Sequence, residues 1–150
     1  MEKVKITIDN TTIEVPKGTT IYKAAKQVGI NIPVLCYMNL EDLGIENKPG
    51  GCRICVVEVE GRRNLAPSCS TEVTDGMVVN THSMRVLNAR KTVLELILSD
   101  HPKDCLVCAK SGNCELQDLS IKMGVRETPF EEFASMSKYK PDFSPSIIRD

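Results

Sequence analysis

The sequence predicts an α+β fold, with a small β-sheet in the first half of the chain and two helices after it. Apolar residues alternate with polar ones at the start of the chain, which is typical of half-buried strands. Later they recur every three or four residues, which is typical of amphipathic helices. The 150 residues provide enough chain for one ordinary domain or two small ones.

The first elements are a hairpin and a helix. Apolar residues alternate over 4–8 and again over 13–15, and Asp9-Asn10 between them fits a hairpin turn. Thr19 or Thr20 can cap a helix whose apolar residues recur at helical spacing as far as Gly29. A hairpin followed by a packed helix is the opening of a β-grasp, or ubiquitin-like, fold.

The middle of the chain combines long loops with two short strands. Residues 30–51 contain prolines and glycines without periodicity, and loops of that length are usually functional. Apolar residues predict a strand over 54–59, another loop through Pro67, and a last short strand over 77–81. We therefore expect residues 1–82 to form the β-grasp domain.

Two helices make up a second, mainly helical domain over residues 83–124. An apolar stripe that only Arg90 interrupts runs along residues 83–99, and a shorter helix from about Cys114 to Met123 follows. Residues 125–150 contain three prolines and are expected to be extended. Their aromatic rings, including Phe133 and Tyr139, either pack on the second domain or face a partner.

Composition and charge exclude several classes of protein. The 19 basic and 20 acidic residues give a net charge of -1, which argues against a partner that is nucleic acid or anionic membrane. No apolar stretch approaches the ~20 residues of a transmembrane helix, and no secretory signal opens the chain. We therefore expect a cytoplasmic protein, in which regularly spaced cysteines are metal ligands or redox groups rather than disulfides.

The seven cysteines and one of the two histidines divide into two sets. The first set has the spacing C-x15-C-x2-C-x13-C, and the second has the spacing H-x3-C-x2-C-x5-C. The first set suits iron held by four thiolates, because a long loop can wrap a cluster and Gly50-Gly51 lets the backbone approach the sulfurs. The members are Cys36, Cys52, Cys55 and Cys69 in the first set, and His101, Cys105, Cys108 and Cys114 in the second.

Other interpretations of these residues stay open at this point. A zinc site built from two C-x2-C pairs usually has about 15–20 residues between them, but here 49 residues separate Cys55 from Cys105. A thioredoxin-like motif should open a helix, whereas Cys55 precedes a strand. Scattered buried cysteines are another interpretation. The second set suits either zinc or a 4Fe-4S cluster with one imidazole ligand.

Three stretches of the sequence carry a family resemblance. The runs GGCRICVVEVEG, LAPSC and DHPKDCLVCAKSGNCELQDL resemble the amino-terminal region shared by iron-only hydrogenases and the large iron–sulfur subunit of NADH:quinone oxidoreductase. Related NAD(P)-linked hydrogenase and formate dehydrogenase subunits share it. The resemblance covers essentially the whole chain, although the gap after Cys36 is longer than in the family. It implies a 2Fe-2S cluster on Cys36, Cys52, Cys55 and Cys69, and a 4Fe-4S cluster on His101, Cys105, Cys108 and Cys114.

The resemblance also implies electron transfer between larger partners. In the family, a segment like SPSIIRD leads to a domain with two further 4Fe-4S clusters and then to a catalytic or catalysis-derived domain, whereas this sequence stops at Asp150. We expect a fragment of a larger subunit rather than a separately encoded one. No dinucleotide motif, P-loop or nucleophile–base pair is present, so we expect no catalytic residues in this chain.

The expected function is a relay of single electrons between a flavin- or NAD(P)-binding subunit and a downstream 4Fe-4S domain of a multisubunit oxidoreductase. A hydrogenase, electron-bifurcating or not, is favoured over NADH:quinone oxidoreductase or an NAD-linked formate dehydrogenase. Ferredoxin is a further possible partner, which Arg53, Arg62 and Arg63 would attract unless they are ordinary solvated side chains. The alternatives from other classes are a zinc-stabilised assembly module and a cluster-based redox sensor.

Overall fold

A computed structural model describes residues 2–38, 43–44 and 49–130, together with the backbone of 142–143 and 148–149. Its main sheet contains five strands, of which the first two form a hairpin. The strands are β1 (Lys3–Ile8), β2 (Thr11–Pro16), β3 (Val56–Val59), β4 (Ala66–Pro67) and β5 (Met77–Asn80). Their order across the sheet is β2-β1-β5-β3-β4, with β1 and β5 parallel and the other neighbours antiparallel. The α+β prediction is confirmed.

The hairpin turns at Asp9-Asn10, as predicted. Both residues have positive φ, 45° and 70°, a conformation that Asp and Asn tolerate better than most residues. One carboxylate oxygen of Asp9 accepts a hydrogen bond of 2.7 Å from the backbone N–H of Thr81. The turn is therefore tied to the chain just beyond the end of β5.

Helix α1 (Ile21–Gln27) packs on the sheet through one buried face. Thr20, rather than Thr19, is the N-cap, and its hydroxyl accepts a hydrogen bond from the N–H of Lys23 at 3.3 Å. Ile21, Ala24 and Ala25 are fully buried in the first core, between the helix and the sheet. Burial of this face stabilises a helix that is too short to be stable alone.

The second half of the described chain contains helices α2 (Met84–Ser99) and α3 (Glu115–Met123), close to the predicted bounds. Ser83 caps α2 and accepts a hydrogen bond from the N–H of Val86. Gly124 ends α3 with φ 65°, the left-handed conformation that glycine adopts at little cost. Arg90, expected to interrupt the apolar face of α2, is instead buried.

A second core joins the two halves of the molecule. Ile54, Leu94 and Val125 are its buried members, and Ile54 comes from the loop just before β3. A residue from the predicted β-grasp domain thus packs among residues of the helical part. The boundaries 1–82, 83–124 and 125–150 stay predictions. The partly buried residues that pack against this core are Leu35, Cys52, Val93, Leu98, Leu116, Leu119 and Met123.

Near the end of the chain, the described backbone forms two short antiparallel strands, β6 (Asp142–Phe143) and β7 (Ile148–Arg149). Phe133 and Tyr139, whose rings were expected to pack on the second domain or face a partner, lie outside the described residues. Among the residues that the structure describes, no helix has the length and apolar character needed to cross a membrane.

Candidate metal centre

The four cysteines of the first set come from three separate segments of the fold. Cys36 lies in the loop that follows α1, Cys52 and Cys55 lie in the loop that leads into β3, and Cys69 lies just after β4. Cys55 and Cys69 are almost fully buried, whereas Cys36 and Cys52 are half-buried. The fold therefore brings together cysteines that are distant in the sequence.

These cysteines approach one another in pairs. The sulfur atoms of Cys55 and Cys69 are 3.3 Å apart, and the backbone N–H of Cys52 donates a hydrogen bond of 3.5 Å to Cys36 Sγ. Cys36 is also close enough for its charge to act on Cys69. A 2Fe-2S cluster takes four cysteine thiolates, two on each iron. Two neighbouring pairs of thiols match that requirement.

Cys36 and Cys69 differ in how readily their thiols lose a proton. Burial raises the pKa of Cys36, but hydrogen bonds from the backbone N–H groups of Cys52, Gly50 and Gly51 outweigh it and lower that pKa to about 7. Burial, followed by hydrogen bonding and charge repulsion with Cys55, raises the pKa of Cys69 to about 12. A bound metal cation removes such repulsion, because it stabilises every thiolate that it binds.

Two residues beside Cys52, Gly50 and Arg53, have positive φ angles. Gly50 has φ +113°, and a Cβ atom there would lie 3.3 Å from the hydroxyl oxygen of Ser70. Arg53 has φ 61°, which is uncommon for a residue with a side chain and is found more often at functional loops. The donor set and the N–H groups that face Cys36 both fit a 2Fe-2S cluster. Buried cysteine sulfurs satisfy its ligand chemistry.

The second set lies in a more open part of the molecule. The N–H of Cys108 donates to the carbonyl oxygen of Cys105 at 3.3 Å, and Cys114 is the N-cap residue of α3. His101 follows α2 and is exposed, as is Cys108. Across the described residues, no three His, Cys, Asp or Glu side chains are arranged to hold one metal ion. In a 4Fe-4S cluster, by contrast, each of four ligands binds a different iron atom, and the second set offers four candidate donors.

Two further residues near the first set are not among the candidates that the sequence predicts. Both Nε and Nη2 of Arg90 donate hydrogen bonds to the carbonyl oxygen of Val56, at 3.1 Å and 2.8 Å. Ile54, which the sequence assigns to a strand, is buried in the second core instead. A lone arginine in an apolar helix face is a signal in the sequence that could have identified Arg90. No local signal shows that Ile54 packs in the second core rather than on the sheet.

A β-grasp sheet with paired cysteines in its loops, followed by helices that carry one histidine and three more cysteines, defines an iron–sulfur protein of the ferredoxin class. Residues 1–84 match the 2Fe-2S iron-sulfur cluster binding domain, and the chain belongs to that family. Residues 90–129 match the NADH-ubiquinone oxidoreductase-G iron-sulfur binding region. The chain is thus an iron–sulfur electron-transfer module with a 2Fe-2S and a 4Fe-4S cluster, as predicted.

The relatives are much longer proteins. The chain is 65% identical, over its full length, to the NADP-reducing hydrogenase subunit HndD of Solidesulfovibrio fructosivorans, of which it spans 26%. It is 42% identical over 130 residues, 87% of the chain, to the NADH-ubiquinone oxidoreductase 75 kDa subunit of Reclinomonas americana, of which it spans 18%. A chain in the crystal structure of NAD+-reducing [NiFe]-hydrogenase in the H2-reduced state matches with a TM-score of 0.75 and 33% identity. That match covers 87% of this chain and 53% of the other.

Proposed function

We propose that this chain is the two-cluster relay segment of an NAD(P)-linked hydrogenase. It passes single electrons between a flavin- or NAD(P)-binding subunit and a downstream 4Fe-4S domain. The observation that carries this proposal is the 65% identity, over all 150 residues, to a subunit of an NADP-reducing hydrogenase. The proposal assigns no catalytic residue to this chain. It also includes a cytoplasmic location for the protein and an acidic ferredoxin as a further electron-transfer partner.

In this proposal each set of predicted ligands has one cluster. Cys36, Cys52, Cys55 and Cys69 hold the 2Fe-2S cluster, and His101, Cys105, Cys108 and Cys114 hold the 4Fe-4S cluster. Each bound cluster takes up and releases one electron without making or breaking a bond in the protein. The surrounding chain keeps water away from the buried sulfurs of Cys55 and Cys69 and directs backbone N–H groups at Cys36.

The first experiment measures the clusters directly. Anaerobically prepared protein should contain about six iron and six sulfide per chain. After reduction with dithionite, it should give electron paramagnetic resonance signals of two distinct clusters. Zinc without sulfide would replace this proposal with the zinc-stabilised assembly module. Clusters that are reduced by dithionite but exchange no electrons with any partner subunit would favour the redox sensor.

A second experiment tests the histidine ligand. A neutral imidazole in place of a thiolate removes one negative charge from the cluster, which favours the reduced state. His101→Cys should therefore retain a 4Fe-4S cluster and lower its reduction potential. His82→Cys, at the other and mostly exposed histidine, is the matched control and should leave that potential unchanged. An unchanged potential in His101→Cys would mean that His101 is not a ligand.

A second candidate is the corresponding segment of NADH:quinone oxidoreductase, because residues 90–129 match an iron–sulfur region named for an enzyme of that kind. The isolated chain has the same chemistry in either setting. The distinction therefore needs the assembled complex, in which hydrogen should reduce both clusters under the hydrogenase proposal. Reduction by NADH but not by hydrogen, with quinone as acceptor, would favour the second candidate, and formate as the reductant would favour an NAD-linked formate dehydrogenase.

A further inference from the structure

Arg90 is a charged residue in an interior position. It lies on α2, which otherwise presents apolar residues inward, and only 2% of its surface is exposed. A buried guanidinium loses its hydration, so it is retained only where hydrogen bonds and negative charge offset that loss. Two of its N–H groups donate to one acceptor, the carbonyl oxygen of Val56.

That acceptor is adjacent to the first cluster site. Val56 directly follows Cys55, which is 1% exposed and whose sulfur lies 3.3 Å from that of Cys69. Burial lowers the pKa of Arg90 to about 10, and negative charge on Cys55 partly opposes that effect. Arg90 therefore keeps its positive charge at neutral pH, in a place where water does not screen it.

The other charge that acts on Arg90 is the carboxylate of Asp9 in the hairpin turn. Burial acts to raise the pKa of Asp9, but hydrogen bonds from the hydroxyl and N–H of Thr81 and the nearby His82 outweigh it and lower that pKa. Asp9 is therefore ionised at neutral pH. The environment of Arg90 thus contains two sources of negative charge, one in the turn and one among the cluster ligands.

We propose that Arg90 is a positioning residue that raises the reduction potential of the 2Fe-2S cluster. This inference rests on the proposed ligand set of the first cluster. One-electron reduction adds a single negative charge to the cluster and its thiolates, with no bond formed or broken. The guanidinium of Arg90 is fixed by its hydrogen bonds to Val56, the residue after Cys55. Its positive charge therefore stabilises the reduced cluster, which carries the added negative charge, more than the oxidised cluster. The same two hydrogen bonds fasten the start of β3 to α2.

The test is a redox titration of the cluster-loaded protein with dithionite, followed by electron paramagnetic resonance. Arg90→Gln should lower the equilibrium constant for reduction of the 2Fe-2S cluster by about tenfold, equivalent to about 59 mV for a one-electron couple. Arg90→Lys keeps the charge and should change the constant by less than about twofold. Lys91→Gln removes the same charge from the neighbouring, exposed position and should change nothing.

Each result bears on the proposal in a defined way. An unchanged potential in Arg90→Gln, or equal shifts in Arg90→Gln and either Arg90→Lys or Lys91→Gln, would overturn it. If Arg90→Gln does not fold, Arg90→Met decides, because methionine fills much of the same buried space without a charge and should lower the equilibrium constant for reduction by about tenfold as well. An unchanged potential in Arg90→Met would overturn the proposal. Absence of any 2Fe-2S signal in the unsubstituted protein would instead overturn the ligand assignment, so the two failures are distinguishable.

Discussion

The shared core makes Ile54 the residue whose truncation should affect both halves of the molecule. Its side chain is fully buried against Leu94 and Val125. Ile54→Ala removes three carbon atoms, whose transfer out of water is worth roughly 2.4 kcal/mol at about 0.8 kcal/mol each. The cavity left behind adds to this, so we expect a total loss of about 3–4 kcal/mol. For a chain of this size, such a loss lowers the melting temperature by about 6–16 °C.

The assay is anaerobic thermal unfolding of the cluster-loaded protein, followed by far-ultraviolet circular dichroism for the helices and by visible absorbance for the clusters. Because Ile54 lies between Cys52 and Cys55 in sequence but packs with the helical part, both signals should shift together. Ile121→Ala is the matched control, since Ile121 is 79% exposed, and should shift melting by less than about 2 °C. If Ile54→Ala melts like the control, or only one signal moves, the shared core does not join the two halves as described.

Two further predictions concern the loop glycine and the hairpin turn. Gly50→Ala should cost about 1–3 kcal/mol and reduce iron content, because φ is +113° and the new Cβ would lie 3.3 Å from Ser70 Oγ. Gly51→Ala, whose Cβ would meet nothing within 4 Å, should retain its iron, and equal loss in both would contradict the steric argument. Because the folded pKa of Asp9 lies below 3.8, its carboxylate contributes stability above about pH 4 that is lost as the pH falls through the folded value. Asp9→Asn should therefore lower the melting temperature at pH 7 more than near pH 3, and a pH-independent difference would refute this.

Local signals in the sequence are sufficient to predict most of the helices, strands and turns. The turn at Asp9-Asn10, the start of α2 near Ser83 and the end of α3 at Met123 each depend on residues within a few positions, so the sequence predicts the hairpin and the helices close to their observed bounds. Strand β4, only two residues long, was predicted as loop because two residues cannot show a periodicity.

Other features depend on contacts that no local pattern contains. Spacing singled out the cysteines of the first set, but the approach of Cys55 to Cys69 depends on the path of the intervening strands and loop. The acceptor of Arg90 lies 34 residues away, so the arginine is visible in the helical pattern but its partner is not. An apolar residue such as Ile54 before a strand suits that strand or a second core equally well.

The position of Ile54 has a consequence for the order in which the protein is made. The segment containing Cys52 and Cys55 is synthesised early, yet its packing partners extend to Val125. On a ribosome, this loop therefore cannot reach its final environment until most of the helical part has emerged. The β-sheet can form before then, but the proposed pocket for the first cluster is completed together with the second half of the molecule.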